Sequence, residues 1–155
     1  MIWTHITWSP RGKCIGSGYN QALTQHDDND WLAIIDHDAM FTTGTWYQQM
    51  QKAIDDNPNM RGLTARINRM ATQEQMVLGI DPNNHDYAYH RRVGKYLSDK
   101  YYGQTTRITA PGHFSGTFFA VHIGTMKKLG GFTETGNQFR CDNLLQAAIV
   151  NAGYE

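Results

Sequence analysis

Residues 31–35, Trp-Leu-Ala-Ile-Ile, are the strongest constraint on what this chain can form. Five apolar residues in a row sit between two polar stretches, His26-Asp27-Asp28-Asn29-Asp30 before and Asp36-His37-Asp38 after. A strand with one wet face alternates apolar and polar residues, whereas an unbroken apolar run of this length suits a strand covered on both faces, as in a parallel sheet. The segments around it supply the covers. Ile15, Tyr19, Ala22 and Leu23 fall on one face of a helix. Thr45-x-x-Gln48 has the form of a capping box, opening a helix whose inner face is Trp46, Met50, Ala53 and Ile54 and which Asn57-Pro58 ends.

The remaining segments extend the alternation. Residues 2–8, 63–67 and 117–123 read as strands. Tyr89, Val93, Tyr96 and Leu97 form a further helical stripe, residues 126–129 a short helix stopped by Gly130-Gly131, and Leu144, Leu145, Ala148 and Ile149 a last helix with Gly153 as its C-terminal cap. Residues 70–86 are polar and irregular, with a turn at Asp81-Pro82-Asn83-Asn84. Strands alternating with helices imply an α/β domain of three layers around a mostly parallel sheet. The 155 residues fit a single domain, 1–155. A last helix followed only by Gly-Tyr-Glu stops where another strand would be expected, so the fold reads as cut short.

Composition excludes some functions. Lys plus Arg and Asp plus Glu are 14 each, giving a formal net charge of zero. Proteins that hold nucleic acid mainly by charge carry a basic excess, so no strong nucleic-acid signal is present. No run of about 18 apolar residues suggests a membrane span, and the N-terminal residues lack the basic and apolar regions of a signal peptide. Cys14 and Cys141 are far apart and form no paired motif. They fit a reducing cytoplasm.

Asp36 and Asp38 carry the clearest chemistry. Both follow directly on the buried strand, at the carboxyl end where open α/β sheets bind ligands. In extended chain residues i and i+2 share a side, so both carboxylates would face one site and His37 the other. Two close carboxylates suit a hard divalent cation, Mn²⁺ or Mg²⁺, which commonly bridges to substrate phosphates. Taken alone, D-x-D also fits a solvated Asp-rich loop. Asp142 opens the last helix and reads either as a carboxylate favoured by the helix dipole or as a general base. Lys13 and Asn20 flank Gly16-Ser17-Gly18, a Gly-rich helix start that is either a plain turn or a phosphate cradle. No P-loop pattern is present. His90-Arg91-Arg92 is a basic helical cluster, read as a solvated face or as a diphosphate contact. His113 and His122 flank the 117–123 strand and suit structural roles. His85 and His90 lack the spacing of a zinc protease.

These segments occur in a familiar order: Gly12-Lys13 and Asn20 on a helix, WLAIIDHDAMFTTGTW, SGTFFAVHIGTMKKLGGF, then a helix opened by Cys141-Asp142-Asn143. The order resembles glycosyltransferases of the GT-A fold, close to the family 2 group. It is most similar to short bacterial and phage proteins with DHDAMF and NNHD…YHRR segments. The resemblance covers about residues 6–154 and implies a metal-dependent transferase using a nucleotide-sugar donor and an acceptor that it does not name. By the resemblance, Asp36 would lie near the donor sugar or ribose and share the metal with Asp38. Ser115 and Gly116 would line the sugar site, Lys13 and Asn20 would lie near the donor, and Asp142 would be the base of inverting relatives. Typical members begin with a further strand, helix and strand, and many supply a metal-binding His after the last helix. Neither feature is in this sequence.

Two other functions compete. A haloacid-dehalogenase-like phosphatase also has D-x-D after a buried strand. It needs Thr or Val two residues past the second Asp, where this chain has Met40. The other is a non-catalytic sugar- or nucleotide-binding module on the same fold.

Overall fold

The structure, a computed structural model, describes residues 1–69, 74–108, 114–134 and 141–155. Among the described residues nine elements follow in the order β1 (Ile2–Ile6), α1 (Ile15–Thr24), β2 (Trp31–Ile35), α2 (Trp46–Asp56), β3 (Gly62–Thr64), α3 (Tyr87–Tyr101), β4 (Phe118–His122), α4 (Ile123–Lys128) and α5 (Cys141–Asn151). The chain is thus a small α/β protein. Among the described residues no helix is long and apolar enough to cross a membrane.

The four strands form one sheet in the order β1-β2-β4-β3. β1 and β2 are parallel, with Ile2 opposite Trp31 and Ile6 opposite Ile35. β4 runs antiparallel to both its neighbours, placing Ile35 opposite Phe118 and Thr64 opposite Phe119. The expected mostly parallel sheet is therefore corrected to a mixed one. Burial on both faces was the argument for parallel pairing, but burial follows from the layers above and below a strand and not from its direction. β2 and β4, the two inner strands, are both buried at four of their five residues.

Alternation along these strands divides the core. Leu32, Ile34, Phe119 and Val121 pack with Tyr19, Ala22 and Leu23 of α1, Ile123 and Met126 of α4, and Leu145 and Ile149 of α5. Trp31, Ala33, Phe118 and Ala120 face the other way, toward Met50 and Ala53 of α2 with Ile2 and Met60. Full burial of a large aliphatic or aromatic side chain contributes roughly 1.5–3 kcal/mol, so these two clusters hold the sheet in place. α1 lies close enough to the chain after β1 that a Cβ at Gly18 would run into the carbonyl oxygen of Trp8. The small residues in α1 therefore serve close backbone packing.

Several local expectations change in detail. The strand expected over 63–67 is the shorter β3. The capping box is replaced by a different contact: Thr45 makes no side-chain bond to its own helix N-terminus. Its hydroxyl oxygen instead accepts from Gln49 Nε2 at 3.0 Å. The α5 cap is as expected. Gly153 (φ +82°) donates to Val150 O at 3.0 Å, and Tyr154 N donates to Ile149 O at 3.2 Å. This pair of bonds satisfies two otherwise unpaired helix carbonyls.

Candidate functional site

The site is built at the end of β2. The Asp36 amide donates to Thr117 O at 2.9 Å, which continues the β2–β4 ladder one step beyond the last strand pair. Because β4 is antiparallel, the residues that lead into it arrive at the rim where β2 ends. Had β4 been parallel, residues 115–117 would lie at the opposite rim. There Thr117 N donates to Ser115 Oγ at 3.2 Å and Gly116 N donates to Asp142 Oδ2 at 2.8 Å. The other oxygen of Asp142 accepts from Asn143 N at 2.8 Å. A Cβ on Gly116 would come within 3.3 Å of Asp142 Oδ2, so the missing side chain lets loop and carboxylate meet.

Tyr19 lies beneath this rim. Its hydroxyl is 3.4 Å from Thr7 Oγ1. Burial, reinforced by the nearby charges of Asp36, Cys141 and Asp142, pushes the phenol up to about 12. The bonds at this rim bring together Asp36, Ser115, Gly116 and Asp142 from the ends of β2, β4 and α5. Tyr19, in the apolar stripe of α1, packs in the core edge-on to Phe119 and Phe132.

The Asp36–Asp38 segment is a tight turn and not extended chain. Ala39 N donates back to Asp36 O at 3.0 Å. The pleat ends at Ile35, so alternation does not place the two carboxylates on one side or turn His37 away. Asp36 is half-buried, and His37 and Asp38 are exposed. Among the described residues neither carboxylate has a hydrogen-bond or ion-pair partner, and no cluster of three or more His, Cys, Asp or Glu side chains could enclose a metal. A Mg²⁺- or Mn²⁺-type ion at this turn would have to take most of its oxygen ligands from outside the described residues.

Lys13 and Asn20 belong to a second cluster. Asn20 Nδ2 donates to Phe132 O and to Glu134 Oε1, both at 2.9 Å, while Asn20 Oδ1 accepts from Phe132 N at 2.7 Å. Ser17 Oγ donates to Glu134 Oε2 at 2.7 Å. These bonds, helped by the charge of Lys13, hold the Glu134 carboxyl below its usual range. The amide of Asn20 is therefore committed to joining α1 to the turn after α4, and Glu134 supplies the anion beside α1. Lys13 itself is exposed. His122 accepts from Thr125 N at 3.2 Å and so caps α4, as its structural reading suggests. His113 lies outside the described residues.

No family model, curated protein or solved structure matches the chain. Its geometry is that of a mixed four-stranded α/β fold in which the Asp36 backbone and the Asp142 carboxylate are tied to adjacent residues, Thr117 and Gly116, at one rim.

Proposed function

We propose that the protein is a metal-dependent glycosyltransferase with a GT-A-like fold, which moves a sugar from a nucleotide-diphosphate donor to an acceptor hydroxyl. The observation that carries this reading is the bond from Gly116 N to Asp142 Oδ2 beside the end of β2. It links the late acidic residue to the Ser-Gly loop, next to the Asp36–Thr117 bond that holds the D-x-D segment, and these three segments resemble the donor site of that fold. The free cysteines suit a reducing compartment, and we assign the protein to the cytoplasm.

In this reading Asp38 and Asp36 would hold Mn²⁺ or Mg²⁺ with the donor diphosphate. The bound ion would offset charge on the departing phosphate oxygens. Asp36, half-buried and fixed through its backbone to Thr117, orients the sugar end of the donor. Ser115 and Gly116 form the wall against which the sugar rests. A carboxylate offers about four lone-pair directions. Asp142 uses one on each oxygen for Gly116 and Asn143, which fixes its plane and leaves the other directions open. An acceptor hydroxyl bonded there would pass its proton to Asp142 as its oxygen attacks the anomeric carbon, with inversion. A retaining reaction would leave Asp142 only its positioning role. One observation favours the non-catalytic binding module: both Asp142 oxygens already serve the fold, which explains the residue without any chemistry.

Calorimetric titration with UDP and GDP, with and without Mn²⁺, tests the proposal. The wild type should bind one of them in a Mn²⁺-dependent way, and Asp38→Asn should abolish the dependence while remaining folded. Equal affinity of wild type and Asp38→Asn would overturn the metal assignment. Asp142→Asn should bind donor normally yet lose transfer, or slow donor hydrolysis, by about a hundredfold or more. It should also lose about 1–3 kcal/mol of stability, because an amide cannot accept at both positions. Turnover at the wild-type rate would remove the base.

A further inference from the structure

We propose that the cleft between residues 42–45 and α3 is a binding site for a phosphoryl oxyanion. The cavity measures about 510 Å³ and is open to solvent; Arg91, Arg92 and Lys95 of α3 line one wall and Thr43, Gly44 and Thr45 the other. The single acid in the lining, Asp99, is paired with Lys95 at 2.7 Å. Arg92 has no partner among the described residues, and Arg91 rests only over the ring of Tyr87, 5.9 Å from its centre. Two arginines therefore line the cleft with no carboxylate partner among the described residues.

The hydroxyls add a second, independent argument. Gln49 Nε2, from α2, donates to Thr45 Oγ1 at 3.0 Å and to Ser98 Oγ at 3.1 Å, with Thr43 Oγ1 farther off at 3.4 Å. A hydroxyl whose oxygen is already accepting sends its own proton elsewhere. None of these hydroxyls donates to another group among the described residues. With a lone pair engaged by the amide on Thr45 and Ser98, each of these hydroxyls still has its proton to give. The lining is then rich in donors: two forked guanidinium groups and the hydroxyls, beside the Lys95–Asp99 pair. A neutral sugar would leave the two guanidinium charges without a counter-charge. A carboxylate would leave most donors unused. A phosphoryl group, with several oxygens and up to two charges, matches both the count and the bidentate preference of Arg.

The two walls are held in register by α3 itself. A Cβ at Gly94 would collide with the Thr42 side chain, so the helix backbone rests directly against the loop. That loop begins four residues after Asp38, within ~14 Å by chain length alone. A phosphoryl-bearing ligand in the cleft is therefore a neighbour of the Asp36–Asp38 turn, either as part of a nucleotide or as a phosphate on a second substrate. The inference stands on the cleft and does not need the transferase reading.

The test is titration of metal-free protein, in chelator and low salt, with inorganic pyrophosphate and with UDP. Wild type should bind pyrophosphate. The double variant Arg91→Gln/Arg92→Gln should bind it about tenfold or more weakly, as expected for loss of charge-assisted bonds. Asp38→Asn should bind it as wild type does, which separates this site from the metal site. Arg92→Lys, which keeps the charge and loses the fork, should fall between, and serves if the double variant does not fold. Absence of binding at millimolar pyrophosphate, or undiminished binding by a folded double variant, would overturn the site. Competition between UDP and pyrophosphate would assign the cleft to the nucleotide; simultaneous binding would assign it to the phosphate of a second ligand.

Discussion

The inner strands and α3 both carry large apolar residues at regular spacing, yet they reach opposite ends of the burial scale. Leu32, Ala33 and Ile34 of β2 and Ala120 and Val121 of β4 are wholly removed from solvent. α3, at fifteen residues the longest helix described, has no buried residue, and its Tyr96 is 59% exposed. β2 and β4 are covered from both sides by other elements, whereas α3 meets the other elements through a threonine loop and one glutamine and otherwise bonds to residues 81–86 just before it. The carboxylates of the candidate site stand on the first region and the cations of the cleft on the second. A reaction that needs fixed geometry would use the former, and capture of a charged ligand tolerates the latter.

Truncating one residue in each region should break the comparison most clearly. Phe119→Ala, in the centre of β4, should cost about 3–5 kcal/mol. For a chain of this size that lowers the melting temperature by roughly 2–4 °C per kcal/mol. Tyr96→Ala on α3 should change stability by no more than ~0.5 kcal/mol. Thermal or urea unfolding of the two variants measures both, and a large loss at Tyr96 would mean that α3 is part of the core.

Overpacking gives a second contrast. Gly18→Ala drives a methyl group into the Trp8 carbonyl and should cost about 1–3 kcal/mol. At Gly44, in the wall of the cleft, a Cβ would meet nothing within 4 Å. Gly44→Ala should be neutral, or stabilising by up to ~1 kcal/mol through the unfolded chain. Equal melting curves for the two variants would show that α1 can move away from residue 8.

Titration sharpens the contrast with the smallest effect. The phenol of Tyr19 ionises near 10 in the unfolded chain and near 12 in the fold. The fold thus favours the neutral form, and its contribution, at most about 2.7 kcal/mol, is complete below pH 10 and lost as pH rises through 12. His5, whose Nε2 lies 2.9 Å from that of His26, is held below its usual value by burial and by His26. Its contribution is present above about pH 6.5 and lost as pH falls below that value, because the unfolded chain takes up the proton first. Denaturant midpoints measured from pH 5 to pH 12 should show both losses; replacing Tyr19 by Phe should remove the alkaline one.

Local signals in the sequence were easy to read and distant ones were not. The buried strand of residues 31–35, the stripe of α1 and the cap at Gly153 depend on residues within a turn or two of each other. The direction of β4 depends on a partner about ninety residues away, and nothing in FFAVH encodes it. The same holds for Asn20, whose partners Phe132 and Glu134 lie more than a hundred residues downstream. The Asp36–Asp38 turn was misread because its cause is also remote: Thr117 takes the Asp36 amide, after which the backbone is free to fold back. In α3 the period of Tyr89, Val93, Tyr96 and Leu97 was right, but period alone says only which residues share a face and not whether anything covers it.

The pairing of β2 with β4 also sets an order of events. Closing β1 on β2 brings together residues some thirty positions apart, whereas Trp31 and His122 must meet across a loop roughly three times longer. Contacts at large sequence separation are slow to form, because loop entropy is lost before the contact gives anything back. The bond between Asp36 and Thr117 belongs to that late closure, as does the delivery of Gly116 to Asp142. α3 lies inside the loop being closed and, apart from the bond from Gln49 to Ser98, makes its described hydrogen bonds with its own neighbours, so it can form and fray largely without waiting. The rim then exists only in chains that have completed the sheet, and its amides share the protection of global unfolding while those of α3 exchange on their own clock.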